Sequence, residues 1–154
     1  DARISASVWD MTSEVGVPTY SCSIGDADPF GGLRTFGGSG CHLSKDIALA
    51  RALTEAAQSR LTFIAGSRDD LFPDEYDRRL EEANAAPATA PTADFNIRKS
   101  PPPGRTFDED LTTSLNLLRN AGFSRVIAVD HTRLEFGIPV VSVVVPGMRE
   151  PETG

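Results

Sequence analysis

The sequence predicts an α/β protein of the α+β kind, with a mixed or mostly antiparallel sheet packed by helices in the order β-β-α-α-α-β-β. Three observations predict it. β-rich segments lie near both ends of the chain, and the turns within them match in their letters. The run from Leu43 to Ala65 is rich in Ala and Leu and free of Gly and Pro, the composition of a long helix. Residues from Phe107 to Asn120 place Leu111, Leu115 and Leu118 on one helical face.

Residues Arg3 to Trp9 alternate as a strand, and a turn at Ser13 to Gly16 leads into a second strand from Val17 to Ile24. Pro18 suits a strand start or an edge. Arg125 to Val129 and Val140 to Val145 repeat the arrangement. Asp10-Met11-Thr12 leads to Gly16-Val17-Pro18, and Asp130-His131-Thr132 leads to Gly137-Ile138-Pro139. Two related hairpins in one sheet are therefore expected. Short Asp and Thr side chains accept backbone N–H bonds in turns, so Asp10, Thr12, Asp130 and Thr132 are read as turn formers rather than ligands, and His131 as structural. Val140 to Val145 lacks clean alternation, which predicts cover on both faces.

The glycine-rich stretch Gly25 to Gly40 is either a flexible connection or a loop that brings backbone amides close to a ligand. It has no Gly-Lys-Ser/Thr ending and so is not a Walker loop. The main helix opens at Ser44 or Asp46 and closes at Gly66. Beyond it, Arg68, Asp69 and Asp70 form either an ordered network or a solvated turn, and Asp74 to Ala83 reads as a short charged helix. Ala85 to Arg105 is rich in Pro, Ala and Thr and is expected to pack irregularly, as a loop over a peptide substrate or, more simply, as an insertion. Arg98, Lys99 and Arg105 make it locally basic. Asp108 to Asp110 sit at the positive end of the last helix, and Gly122 ends it.

A chain of 154 residues is one domain or one large piece of a bigger one. Its formal charge of -7 and lack of a Lys/Arg cluster exclude non-specific nucleic-acid binding. No apolar run is long enough to span a membrane, and no signal-peptide pattern is seen at Asp1. Cys22 and Cys41 give no disulfide framework or metal-ligand spacing and are expected as small core residues, with the cytoplasm as the default location.

At about 100° per residue, Arg51, Glu55, Gln58 and Thr62 fall within roughly 60° of one another, while Ala, Leu and Ile side chains occupy most of the remaining circumference. A largely buried helix with one polar stripe is expected, the stripe facing a polar cleft or a metal. The plainer alternative is a surface Arg51–Glu55 pair with Gln58 in solvent. The run Gly38-Ser39-Gly40-Cys41-His42, followed by Ala48 to Arg60 with its Glu-x-x-Gln element at Glu55 and Gln58, resembles the C-terminal half of a YcaO domain. The continuation Gly66-Ser67-Arg68-Asp69-Asp70 most resembles the TfuA-associated branch.

The resemblance extends from about residue 4 to Met148, so residues 1–154 are expected to be the C-terminal portion of a YcaO-like domain with a Pro/Ala-rich loop at 85–105. It implies ATP and Mg as cofactors, with Glu55 as a Mg ligand, Gln58 on the nucleotide or a Mg-bound water, and Arg51 and His42 as further contacts to the nucleotide. It also implies ATP-dependent activation of peptide backbone amides by O-phosphorylation, giving a thioamide or an azoline. Implied partners are a peptide or protein substrate, a TfuA-like protein and a second copy in a homodimer. The family's Ser-x-x-x-Glu element does not occur in these residues. Residues 1–154 alone are therefore expected to be inactive, and the alternative reading is a non-catalytic peptide-binding or dimerisation module.

Overall fold

The structure, a computed structural model, describes residues 4–26, 35–65, 93–102 and 104–148. Gly66, the Arg68–Asp70 group and the charged helix expected at Asp74 to Ala83 lie outside the described residues. The chain divides into two compact units, residues 1–13 with 17–103, and residues 14–16 with 104–154.

In the first unit, β1 (Ile4–Asp10), β2 (Thr19–Asp26) and β3 (Thr35–Cys41) form an antiparallel sheet in the order β1-β2-β3. β3 corrects the expectation of a flexible connection or a ligand-approaching loop in this glycine-rich stretch. The described order is β-β-β-α-α-β-β, with the extra strand ahead of the long helix α1 (Lys45–Ala65). Glycine weakens a strand on its own account, but here the space matters more than the propensity. A Cβ on Gly40 would lie 2.1 Å from the Ala48 carbonyl oxygen and 2.6 Å from the Ala52 nitrogen. One on Gly38 would lie 2.3 Å from the Ala56 nitrogen and 2.4 Å from the Ala52 carbonyl oxygen. Ala48, Ala52 and Ala56 recur every four residues on one helix face, and each is fully buried, at 0% exposure. The helix thus rests almost backbone to backbone on the strand. From β2, Tyr20, Cys22 and Ile24 alternate into the same layer, with Phe36, Leu49, Leu53 and Phe95 packed around them.

The expectation of a largely buried helix is also corrected. Beyond the alanine stripe, Leu61 and Ile64 are 67% and 59% exposed in this chain. Of the two cysteines, Cys22 is in the core as expected, whereas Cys41 is exposed.

Residues 93–102 are not an unpacked insertion. Phe95–Ile97 forms a short 3-10 turn capped by Asp94, whose carboxylate accepts from Asn96 N–H at 2.8 Å. The Phe95 ring meets Tyr20 at 5.8 Å between centroids. Lys45 Nζ lies 4.5 Å above the same ring and donates to the Phe95 carbonyl at 3.0 Å. Ser100 Oγ accepts from Lys45 N–H at 2.9 Å, so a residue distant in sequence satisfies one of the orphan amides at the start of α1.

In the second unit, α2 (Phe107–Asn120) is N-capped by Thr106, whose Oγ1 accepts from Glu109 N–H at 3.3 Å. It ends in the paired bonds Phe123 N–H to Leu118 O and Gly122 N–H to Arg119 O, a Schellman closure. β4 (Ile127–Asp130) and β5 (Val141–Val144) pair antiparallel as a separate two-stranded sheet, not as part of one sheet with β1–β3. The predicted cover on both faces is likewise absent among the described residues, with Val143 63% and Val144, on the opposite face, 50% exposed.

The two hairpins are related in detail. Asp10 Oδ1 accepts from Thr12 N–H at 3.0 Å, and Thr12 Oγ1 accepts from Thr19 N–H at 3.1 Å. At the other turn, Asp130 Oδ1 accepts from Thr132 N–H at 2.8 Å, and Thr132 Oγ1 accepts from Val140 N–H at 3.2 Å. His131 N–H closes the second turn on Val140 O, as Met11 N–H closes the first on Thr19 O, both at 2.8 Å. Gly16 and Gly137 both have positive φ, 80° and 60°, a conformation that favours glycine.

Candidate functional site

The helical stripe meets the outer edge of β3. Because β2 pairs with only one side of β3, Ser39 N–H and Cys41 C=O face away from the sheet. Glu55 Oε2 accepts from Ser39 N–H at 2.8 Å and from Ser39 Oγ at 3.3 Å. Arg51 Nη1 donates to Cys41 O at 3.2 Å. One carboxylate and one guanidinium, a helical turn apart, thus satisfy both backbone groups. Glu55 is exposed, and its Oε1 takes no hydrogen bond among the described residues. Gln58 is exposed on the same stripe, and its side chain forms no hydrogen bond among the described residues.

His42 follows β3 directly. Its Nδ1 accepts from Ser44 N–H at 2.9 Å, and its own N–H donates to Pro18 O at 3.1 Å. Nδ1 is therefore unprotonated, and Nε2 carries the ring proton. Arg51 reaches this corner through Cys41, the residue before His42. Glu55 and Arg51 thus share the β3 edge, Gln58 lies beside them on the helix, and His42 sits at the strand's end.

Glu55 fits a hard-cation ligand, since it has one free carboxylate oxygen on an exposed helix face. Among the described residues, however, no group of three or more His, Cys, Asp or Glu side chains is placed to hold a metal ion.

A second polar cluster escaped the sequence reading. Arg98 Nε donates to Asp10 Oδ2 at 2.7 Å, and Arg98 Nη2 contacts the same oxygen. Asp10 thereby serves its turn and also holds residues 93–102, a pairing across 88 positions with no local sequence signal. Partial burial works to raise the Asp10 carboxyl, but hydrogen bonds from Thr12 and then the Arg98 guanidinium outweigh it and hold the group below its usual value. Asp130 has no arginine partner among the described residues and is lowered by Thr132.

Residues 1–149 match the family described as YcaO cyclodehydratase, ATP- and Mg2+-binding. The chain belongs to the YcaO family. Among YcaO relatives, an uncharacterised protein of Methanothermobacter thermautotrophicus is 36% identical over 96% of this chain and 40% of its own length. An uncharacterised protein encoded in the tfuA 3′ region of Rhizobium leguminosarum bv. trifolii is 32% identical over 94% of this chain and 37% of its own. This chain therefore spans about two fifths of the length of these two relatives. A solved heterocyclase in complex with substrate and cofactor superposes with a TM-score of 0.72 at 25% identity, over 96% of this chain and 20% of that one. The tfuA-region relative is consistent with the sequence's resemblance to the TfuA-associated branch. None of the helices described is long and apolar enough to cross a membrane.

Proposed function

We propose that this chain is part of an ATP-dependent enzyme that activates peptide backbone amides, and that Glu55 is one of its Mg ligands. An amide oxygen is a very poor leaving group. ATP and its Mg ions, when bound, supply the phosphoryl group that makes that oxygen a good one.

The single observation that carries this reading is the placement of Glu55. Ser39 holds Oε2 from two directions, so the carboxylate is oriented before any ligand arrives, and Oε1 takes no hydrogen bond among the described residues. Gln58, one turn on, is placed to contact the nucleotide or a Mg-bound water. Arg51, anchored on Cys41, adds positive charge beside this face, and His42 offers Nε2–H to a phosphate oxygen. Preorganised donors and acceptors of this kind lower the reorganisation needed as charge develops.

The product is a thioamide or an azoline, depending on whether an external sulfur donor or a peptide side chain attacks. The tfuA-region relative favours the thioamide, formed with a TfuA-like partner protein. A second copy of the chain as partner and a cytoplasmic location complete the proposal. The alternative is a non-catalytic peptide-binding or dimerisation module whose exposed sheet edge takes up a partner strand; the β3 edge does not favour it, since Ser39 and Cys41 are already engaged there by Glu55 and Arg51.

The test is Glu55→Gln in the full-length protein. Glutamine can still accept from Ser39 N–H, so the edge is kept while the charge is lost. Mg-ATP affinity by isothermal titration is expected to fall by at least about tenfold. An affinity equal to the parent's overturns the assignment.

A further inference from the structure

A cleft of about 650 Å³ lies between β1, β2 and residues 93–99, within the size range of small-molecule sites. The strand order separates it from Glu55: Val8 and Asp10 come from β1 and Tyr20 from β2, whereas Glu55 binds the far edge of β3. The reaction proposed above makes no use of it.

Tyr20 carries the argument. It is only 3% exposed and lines the cleft, yet its hydroxyl has no hydrogen-bond partner among the described residues. A buried hydroxyl left unpaired is destabilising, and a ligand acceptor would recover that loss. Burial, then the Asp10 charge, raises the phenol above its usual value, so it remains a donor. Asp10 accepts from Thr12 at Oδ1 and from Arg98 at Oδ2, and not from the Tyr20 hydroxyl. Val8, Phe95 and Ile97 give the cleft apolar walls. Its charges balance, Asp10 and Asp94 against Arg98 and Lys99, which disfavours a free acid or a cation and suits a neutral ligand. The chemistry required is an apolar group beside an uncharged acceptor, the pattern of a peptide residue.

We infer that this cleft is a peptide subsite, in which an apolar side chain sits against Val8, Phe95 and Ile97 while the Tyr20 hydroxyl donates to a backbone carbonyl of the same segment. The inference rests on the reading that the full-length protein acts on peptides, and it assigns residues 93–99 the task of forming one wall.

The test uses the full-length protein and acetyl-Gly-Leu-Gly-amide, followed by saturation-transfer NMR. Binding in roughly the millimolar range is expected, with the strongest transfer to the leucine methyls. Tyr20→Phe removes only the unpartnered hydroxyl, so the melting temperature holds or rises while affinity falls by about fivefold to tenfold. Ile97→Asp, at a position 77% exposed and so safe for the fold, abolishes the leucine transfer. No transfer with the parent, equal affinity in Tyr20→Phe, or equal binding of acetyl-Gly-Gly-Gly-amide each overturns the inference. Mg-ATP titration of the parent keeps the two ideas apart. Peptide binding in this pattern without ATP binding sinks the proposed function and spares the subsite, and ATP binding with no peptide pattern does the reverse.

Discussion

Replacing Gly40 by alanine tests the seam between β3 and α1 most directly. The new methyl would stand 2.1 Å from the Ala48 carbonyl oxygen, 2.6 Å from the Ala52 nitrogen and 2.9 Å from Arg51 Cβ. Two of the three are helix backbone and cannot rotate aside. To restore an ordinary contact the helix must retreat by roughly 1 Å, and a gap of that size forfeits a quarter to a half of the dispersion energy along the seam. Ala48, Ala52 and Ala56 all lie on that seam, so the loss spreads beyond the substituted residue. A destabilisation of about 3 kcal/mol is expected, the upper end for overpacking. Gly38→Ala, at 2.3 Å from the Ala56 nitrogen, should behave alike. Gly37 is the internal control. Its nearest neighbour would be the Cys22 carbonyl oxygen at 4.0 Å, and Gly37→Ala should be neutral or stabilising by about 0.4–1 kcal/mol through the unfolded chain. Differential scanning calorimetry of the full-length variants reads the contrast as a fall of at least roughly 5 °C for Gly38 and Gly40 only. Equal melting temperatures for all three would refute the close-packing argument.

The remaining predictions concern single contacts. Because the folded Asp10 carboxyl is held below its usual value, it stabilises the protein above about pH 4, and that contribution is lost as pH falls through the folded value. The melting-temperature gap between the parent and Asp10→Asn should therefore be steady from about pH 5 to 7 and close in stronger acid; a gap that widens on acidification contradicts the sign. Ser100→Ala removes the acceptor for Lys45 N–H and should cost about 1 kcal/mol, read as faster hydrogen exchange in the first turn of α1. Thr106→Ala should cost about 1 kcal/mol by removing the cap of α2, with Thr106→Ser close to the parent.

The elements read correctly from sequence are those whose signal is local. The repeated Asp-x-Thr turns were visible as letters because their bonds join residues a few positions apart, and the bounds of α2 followed from Asp108–Asp110 and Gly122. β3 was missed because its evidence is not local: Gly38 and Gly40 look like breakers until the alanine stripe of α1 is laid against them. The docking of residues 93–102 was missed for the same reason, since Arg98 needs Asp10 and Ser100 needs Lys45. At the site, helical spacing put Arg51, Glu55 and Gln58 together, as found. Ser39 and Cys41, the groups that orient two of them, could be identified only once the strand was known to exist.

The border of β3 has a further consequence. Exposed amides at the rim of a sheet are adhesive toward any extended chain, and here a single acid keeps the Ser39 amide covered. Whatever draws that acid away uncovers the rim in the same movement. The occupancy of one carboxylate and the tendency of this surface to self-associate are therefore coupled quantities.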